Sequence, residues 1–173
     1  MRRLILLRHA KSDWPEGMAD PERPLAPRGR EAAPRLGAYL ALQGLVADRV
    51  LISPARRARE TWELVSGQMP PVPMAASEPR IYDASATRLL GVVREQPRQV
   101  HMLMLVGHNP GLEDLAATLV ANGVAADMAR MAEKFPTGAL AVIDLPVDDW
   151  STIKPASGRL DRFLVPRELN GAG

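Results

Sequence analysis

A chain of 173 residues with 46% hydrophobic side chains can bury one core of ordinary size and is short for two, so a single domain over residues 1–169 is expected, with a disordered tail at 170–173. The formal charge of +2, arginines dispersed along the chain and only two Tyr, two Phe and three Trp argue against a nucleic-acid-binding surface. Cysteine is absent, which removes disulfides, thiolate metal sites and cysteine nucleophiles.

The N-terminus, Met-Arg-Arg-Leu-Ile-Leu-Leu-Arg-His, returns to charge after four apolar residues. That is too few for a signal peptide or a membrane span, so a cytoplasmic protein with no membrane partner is expected. Residues 4–7 predict a short strand buried on both faces of a parallel sheet, with polar chemistry starting at its carboxyl end. The proline- and charge-rich stretch 12–27 predicts a surface loop at the mouth of a site, carrying Trp14 as a substrate contact or a surface anchor. Ala32, Ala33, Leu36, Tyr39, Leu40 and Leu42 predict a helix over 29–43, with Pro34 tolerated in its first turn.

A second apolar run at 49–53 leads into an arginine-rich helix that Pro54 would open and Ser53 would cap, with Trp62 in the core. Residues 69–79 read as a loop, followed by a brief strand near 80–82 and a helix over 85–94. Residues 101–106 predict a third buried strand, with Met102 and Met104 as core residues and His101 in a structural role. A helix over 112–120 follows, then a strand over 138–145 and an extended run over 157–164. Strands alternating with helices argue for an α/β sandwich with a mainly parallel sheet and an antiparallel edge strand near the C-terminus.

Each of the first three strands ends in a basic motif: Arg8-His9-Ala10, Ser53-Pro54-Ala55-Arg56-Arg57-Ala58-Arg59-Glu60-Thr61, and Gly107-His108-Asn109-Pro110-Gly111. Ligands of open α/β sheets sit at the carboxyl ends of strands, so two imidazoles and several guanidiniums could meet there. Such a set can hold a phosphoryl group, because guanidinium matches phosphate oxygens bidentately, and attack it, because neutral imidazole is a nucleophile.

Taken together in this order, the three motifs resemble the histidine phosphatase superfamily, and Leu-Leu-Arg-His-Ala-Lys-Ser with the later Arg-Pro-Leu resembles its SixA-type phosphohistidine phosphatase branch. The resemblance implies the phosphoglycerate mutase-like fold, a three-layer α/β/α sandwich, here without a large lid insertion. It implies His9 as the nucleophile, with Arg8, Arg57 and His108 binding the phosphoryl group, no metal and no cofactor. Arg57 matches the family's arginine, four positions after Ser53, which leaves Arg56 and Arg59 on a solvated face. Ser12 and Thr61 stand where the family supports its pocket through hydrogen bonds.

Three positions depart from the wider family: Ala10 replaces a glycine, Pro15 replaces an asparagine of the mutases, and Asn109 stands where acid phosphatases carry an aspartate proton donor. Glu78 and Asp83 are the remaining candidates for an acid. Expected substrates are a phosphorylated protein such as a histidine phosphotransfer domain, or alternatively a small phosphomonoester. A non-catalytic phosphoprotein-binding module is the third reading, and a phosphorylated His9 would exclude it.

Overall fold

In the computed structural model, which describes residues 1–169, the apolar run of strand β1 (Arg2–Arg8) is fully buried because helices cover both faces of its sheet. Leu4 and Leu6 enter one hydrophobic cluster, and Ile5 and Leu7 enter the other. Strand alternation sends successive side chains to opposite faces, so a run with no polar interruption needs cover on both sides. Each leucine enclosed in this way contributes roughly 1.5–3 kcal/mol relative to exposure. The tail expectation for 170–173 lies outside the described residues.

Strands β2 (Arg49–Ile52), β3 (Met74–Ser77), β4 (Met102–Gly107), β5 (Val120–Gly123), β6 (Leu140–Leu145) and β7 (Gly158–Leu164) complete a seven-stranded sheet in the order β3-β2-β4-β1-β6-β7-β5. Helices α1 (Pro27–Leu42) and α2 (Arg56–Ser66) cover one face. Helices α3 (Ala86–Arg94), α4 (Gly111–Leu119) and α5 (Ala125–Glu133) cover the other, giving three layers. The pairings β1–β4, β2–β4, β2–β3 and β5–β7 are parallel, while β6 runs antiparallel to both β1 and β7. The antiparallel strand is therefore an internal one rather than the expected edge, and the edge strand β5 is parallel to its neighbour.

Several local expectations shift. Helix α1 begins at Pro27, whose missing N–H costs nothing at a first helical position, and this places Pro34 in the helix interior instead of the first turn. Helix α2 opens at Arg56 with Ala55 as its N-cap, so Ser53 and Pro54 precede it and the Ser53 hydroxyl is used elsewhere. The strand expected near 80–82 is a 3-10 turn, Pro79–Ile81, capped by the Glu78 side chain. The strand pairing with β2 lies earlier, at Met74–Ser77, inside the expected loop. Strand β5 and helix α5 were not predicted, because Val120–Gly123 is a half-exposed edge and α5 buries only Met131.

Candidate active site

The carboxyl ends of β1, β2 and β4 are adjacent, since β4 pairs with both other strands, and the three basic motifs converge there. A cleft of about 220 Å³ is lined by Arg8, His9, Ser12, Arg23, Arg57, His108, Asn109 and Thr137, among others. The His9 and His108 rings lie 5.2 Å apart. Backbone bonds fix this corner: the His9 amide donates to the Gly107 carbonyl at 3.0 Å and the Gly138 amide donates to the His9 carbonyl at 2.9 Å. Thr61 joins strand to helix, its hydroxyl accepting from the Ala10 amide at 3.0 Å and donating to the Arg57 carbonyl at 2.7 Å.

The tautomer of His9 follows from its partner. Nδ1 lies 2.8 Å from the Ala10 carbonyl, which can only accept, so Nδ1 carries the proton. In a neutral ring Nε2 then holds the lone pair, and it makes no hydrogen bond among the described residues. Burial pushes the His9 pKa down to about 3, with smaller contributions from His108, Arg57 and Arg8 opposed by the Ala10 bond. Desolvation thus outweighs guanidinium repulsion. Burial also lowers His108 to about 4, helped by Arg57 and opposed by Asp20. His108 Nε2 is 2.7 Å from the Ser53 hydroxyl, while its Nδ1 is buried without a partner.

The cationic side of the cleft has three guanidiniums, those of Arg8, Arg23 and Arg57. Arg8 donates through one terminal nitrogen to the Phe135 carbonyl at 3.0 Å, and its buried Nε is unpartnered. Arg57 has a buried, unpartnered Nε too, but both of its terminal nitrogens are engaged by Asp20, at 2.8 Å to the carbonyl and 3.1 Å to the carboxylate. Arg23 is buried, donates to Ser12 Oγ at 2.8 Å and to the Asp20 carboxylate at 3.1 Å, and stacks on the exposed Trp14 ring at 3.1 Å. Arg56 turns instead to Glu60, and Arg59 to the Pro54 carbonyl.

Sequence reasoning missed Arg23, Asp20 and Tyr82. The Tyr82 hydroxyl donates to Asp20, and its ring stands edge-on to His108 at 5.6 Å. The Tyr82 bond, then Arg23 and Arg57, hold the Asp20 carboxyl at about 2 against desolvation. Arg23 had a signal in Arg-Pro-Leu, whereas Asp20 and Tyr82 had none. Of the two candidate acids, Glu78 is held ionised by Arg80 through contacts at 3.0 and 3.1 Å, and neither Glu78 nor Asp83 lines the cleft. Among the described residues no group of three or more His, Asp or Glu is placed to hold a metal ion.

The constellation can bind an oxyanion, because buried unpaired N–H groups are costly unless an acceptor arrives. It also presents one unprotonated imidazole nitrogen to that anion. The family model described as the histidine phosphatase superfamily (branch 1) matches residues 4–104. An uncharacterized protein of Mycobacterium tuberculosis strain H37Rv is 37% identical over 163 residues, spanning 93% of this chain and 100% of its own. Among solved structures, one from Agrobacterium tumefaciens, assigned provisionally as phosphohistidine phosphatase SixA, is 30% identical with a TM-score of 0.78, covering 95% of this chain and 98% of that one. The protein histidine phosphatase SixA complexed with tungstate, at 22% identity and TM-score 0.74, covers 97% and 99% and shares the fold. No described helix is long and apolar enough to cross a membrane.

Proposed function

The chain belongs to the histidine phosphatase superfamily, branch 1, and from that membership we propose that it removes the phosphoryl group from phosphohistidine on a protein through a covalent intermediate on His9. The observation that carries this reading is the neutral His9, its Nδ1 tied to the Ala10 carbonyl, beside two buried guanidinium Nε donors with no partner. The Nε2 lone pair attacks phosphorus while the P–N bond of the substrate breaks, and its electrons go to the departing imidazole. Water then attacks the phosphorylated His9, the P–Nε2 bond breaks, and inorganic phosphate leaves. Arg8, Arg57 and His108 bind the phosphoryl oxygens and offset the charge that develops on them.

The choice of phosphohistidine rests on the leaving group. Among the described residues no carboxylate lines the cleft, and Asp20, which grips Arg57 beside it, is held ionised at about 2 and cannot supply a proton near neutrality. An alkoxide leaving group needs such an acid. A phosphorylated imidazole does not, since a ring with a pKa of ~6.5 can bring the proton on its other nitrogen and depart neutral.

The test is trapping. Wild-type protein mixed with histidine-phosphorylated protein should acquire acid-labile, alkali-stable phosphate on His9, and His9→Ala should lose turnover while keeping its fold. Near wild-type turnover by His9→Ala would sink the mechanism. Activity is expected to survive EDTA, because the guanidiniums supply the positive field that a metal would otherwise provide, and to be inhibited by vanadate. A requirement for added divalent metal would contradict this.

A further inference from the structure

A larger groove of about 600 Å³ opens beside the cleft and shares Lys11 and Thr137 with it. Helix α1 forms one wall, and the end of α5 with the chain after β7 forms the other. Lys11, Arg28, Arg35, Arg130, Lys134 and Arg167 line it against only two carboxylates, Glu31 and Glu133. Arg130 is neutralised by Asp127 and Glu168. Lys11, Arg28, Lys134 and Arg167 make no ion pair among the described residues. The whole chain carries a net charge of only +2, so this groove concentrates positive charge beyond what the composition requires.

We propose that this groove binds an acidic segment of the substrate protein lying next to the phosphorylated residue, so that substrate choice is made by charge outside the catalytic cleft. For its catalytic arm the proposal rests on the function proposed above. An extended acidic segment fits because Lys11 stands at the junction with the cleft, while Arg28 and Arg167 stand on opposite walls. Charges at an exposed interface act mainly on encounter and selectivity, and salt screens them with a Debye length of ~10 Å at 0.1 M.

The experiment uses two labelled peptides, each with a central histidine, one flanked by glutamates and the other by glutamines. Fluorescence anisotropy of the unphosphorylated pair measures the groove alone, and kcat/KM on the phosphorylated pair measures its use. The acidic peptide should bind about tenfold more tightly at low salt, and the preference should vanish in the double variant Arg28→Gln, Arg167→Gln. That variant should keep the wild-type rate on a small phosphoramidate, which does not reach the groove. Equal binding of both peptides by wild type, or an unchanged preference in the variant, overturns the groove proposal even if both are hydrolysed. Equal affinity for an oligonucleotide of the same charge overturns it too. Selective binding without hydrolysis of either phosphopeptide supports the groove and defeats the phosphatase reading instead.

Discussion

At the scale of single residues, the four positions read from the strand ends do meet, but the way they are held changes what each can do. Asp20 holds both terminal nitrogens of Arg57, so that guanidinium is not a free fork, and its Nε is buried without a partner. Arg57→Ala should lower kcat/KM by about two orders of magnitude, as loss of one preorganised donor costs roughly 3 kcal/mol. Arg56→Ala and Arg59→Ala should stay within about tenfold, since their side chains are committed to Glu60 and Pro54. Asp20→Ala should cost about tenfold by loosening Arg57 and Arg23 together, about half the free energy of the Arg57 loss. Side-by-side kinetics on one phosphohistidine substrate checks the series. An Asp20→Ala enzyme faster than wild type would show that the carboxylate competes with phosphate. Arg8, His9 and His108 were legible because they end or directly follow apolar strands, and Arg57 because it falls just after the Ser-Pro pair that leaves β2. Asp20 and Tyr82 were not, because a 3-10 turn in a proline-rich loop and a residue beyond β3 have no periodicity linking them.

At the scale of elements, contact between helices depends on glycine in one place and merely tolerates it in another. A Cβ on Gly37 would lie 2.1 Å from the Val65 carbonyl oxygen, so α1 and α2 approach as closely as they do only because that atom is missing. Gly37→Ala should destabilise by roughly 2–3 kcal/mol through overpacking. In α3, a Cβ on Gly91 meets nothing within 4 Å, and Gly91→Ala should stabilise by about 0.5–1 kcal/mol through helix propensity. Urea midpoints of the two variants measure both signs, and similar shifts for the two would refute the packing argument. The Thr61 hydroxyl does for strand and helix what Gly37 does for two helices. Thr61→Val, close in shape, should lower kcat/KM more than it lowers stability, because it frees the Ala10 amide beside the nucleophile. The long buried strands and amphipathic helices were readable from period and apolar runs. Strand β5 and helix α5 were not, since their stability comes from pairing with β7 and from packing at a single buried methionine.

For the molecule as a whole, burying two neutral imidazoles links folding to pH. His9 and His108 have native pKa values of about 3 and about 4, against an ordinary value of 6.5. Between those limits the unfolded chain binds more protons than the folded one, so their contribution is fully present above ~6.5 and is lost as pH falls, toward about 4 for His108 and about 3 for His9. Thermal unfolding should shift to lower temperature from pH 7 to pH 5, and replacing both histidines with glutamine should flatten that dependence. Imidazole carbon shifts of His9 and His108 should stay those of the neutral ring over the same range; a transition near pH 6.5 would refute the linkage. The sequence by itself determined the α/β class, the strands whose ends border the cleft and four of the residues that line it, because apolar periodicity and residue order are local properties of a chain. Only the tertiary structure decided which strand is antiparallel, which nitrogen of His9 is free, that Asp20 occupies Arg57, and that a basic groove adjoins the cleft. Each of these depends on residues distant in the chain being brought within a few ångströms, where desolvation and hydrogen-bond direction act and where a one-dimensional pattern carries no information.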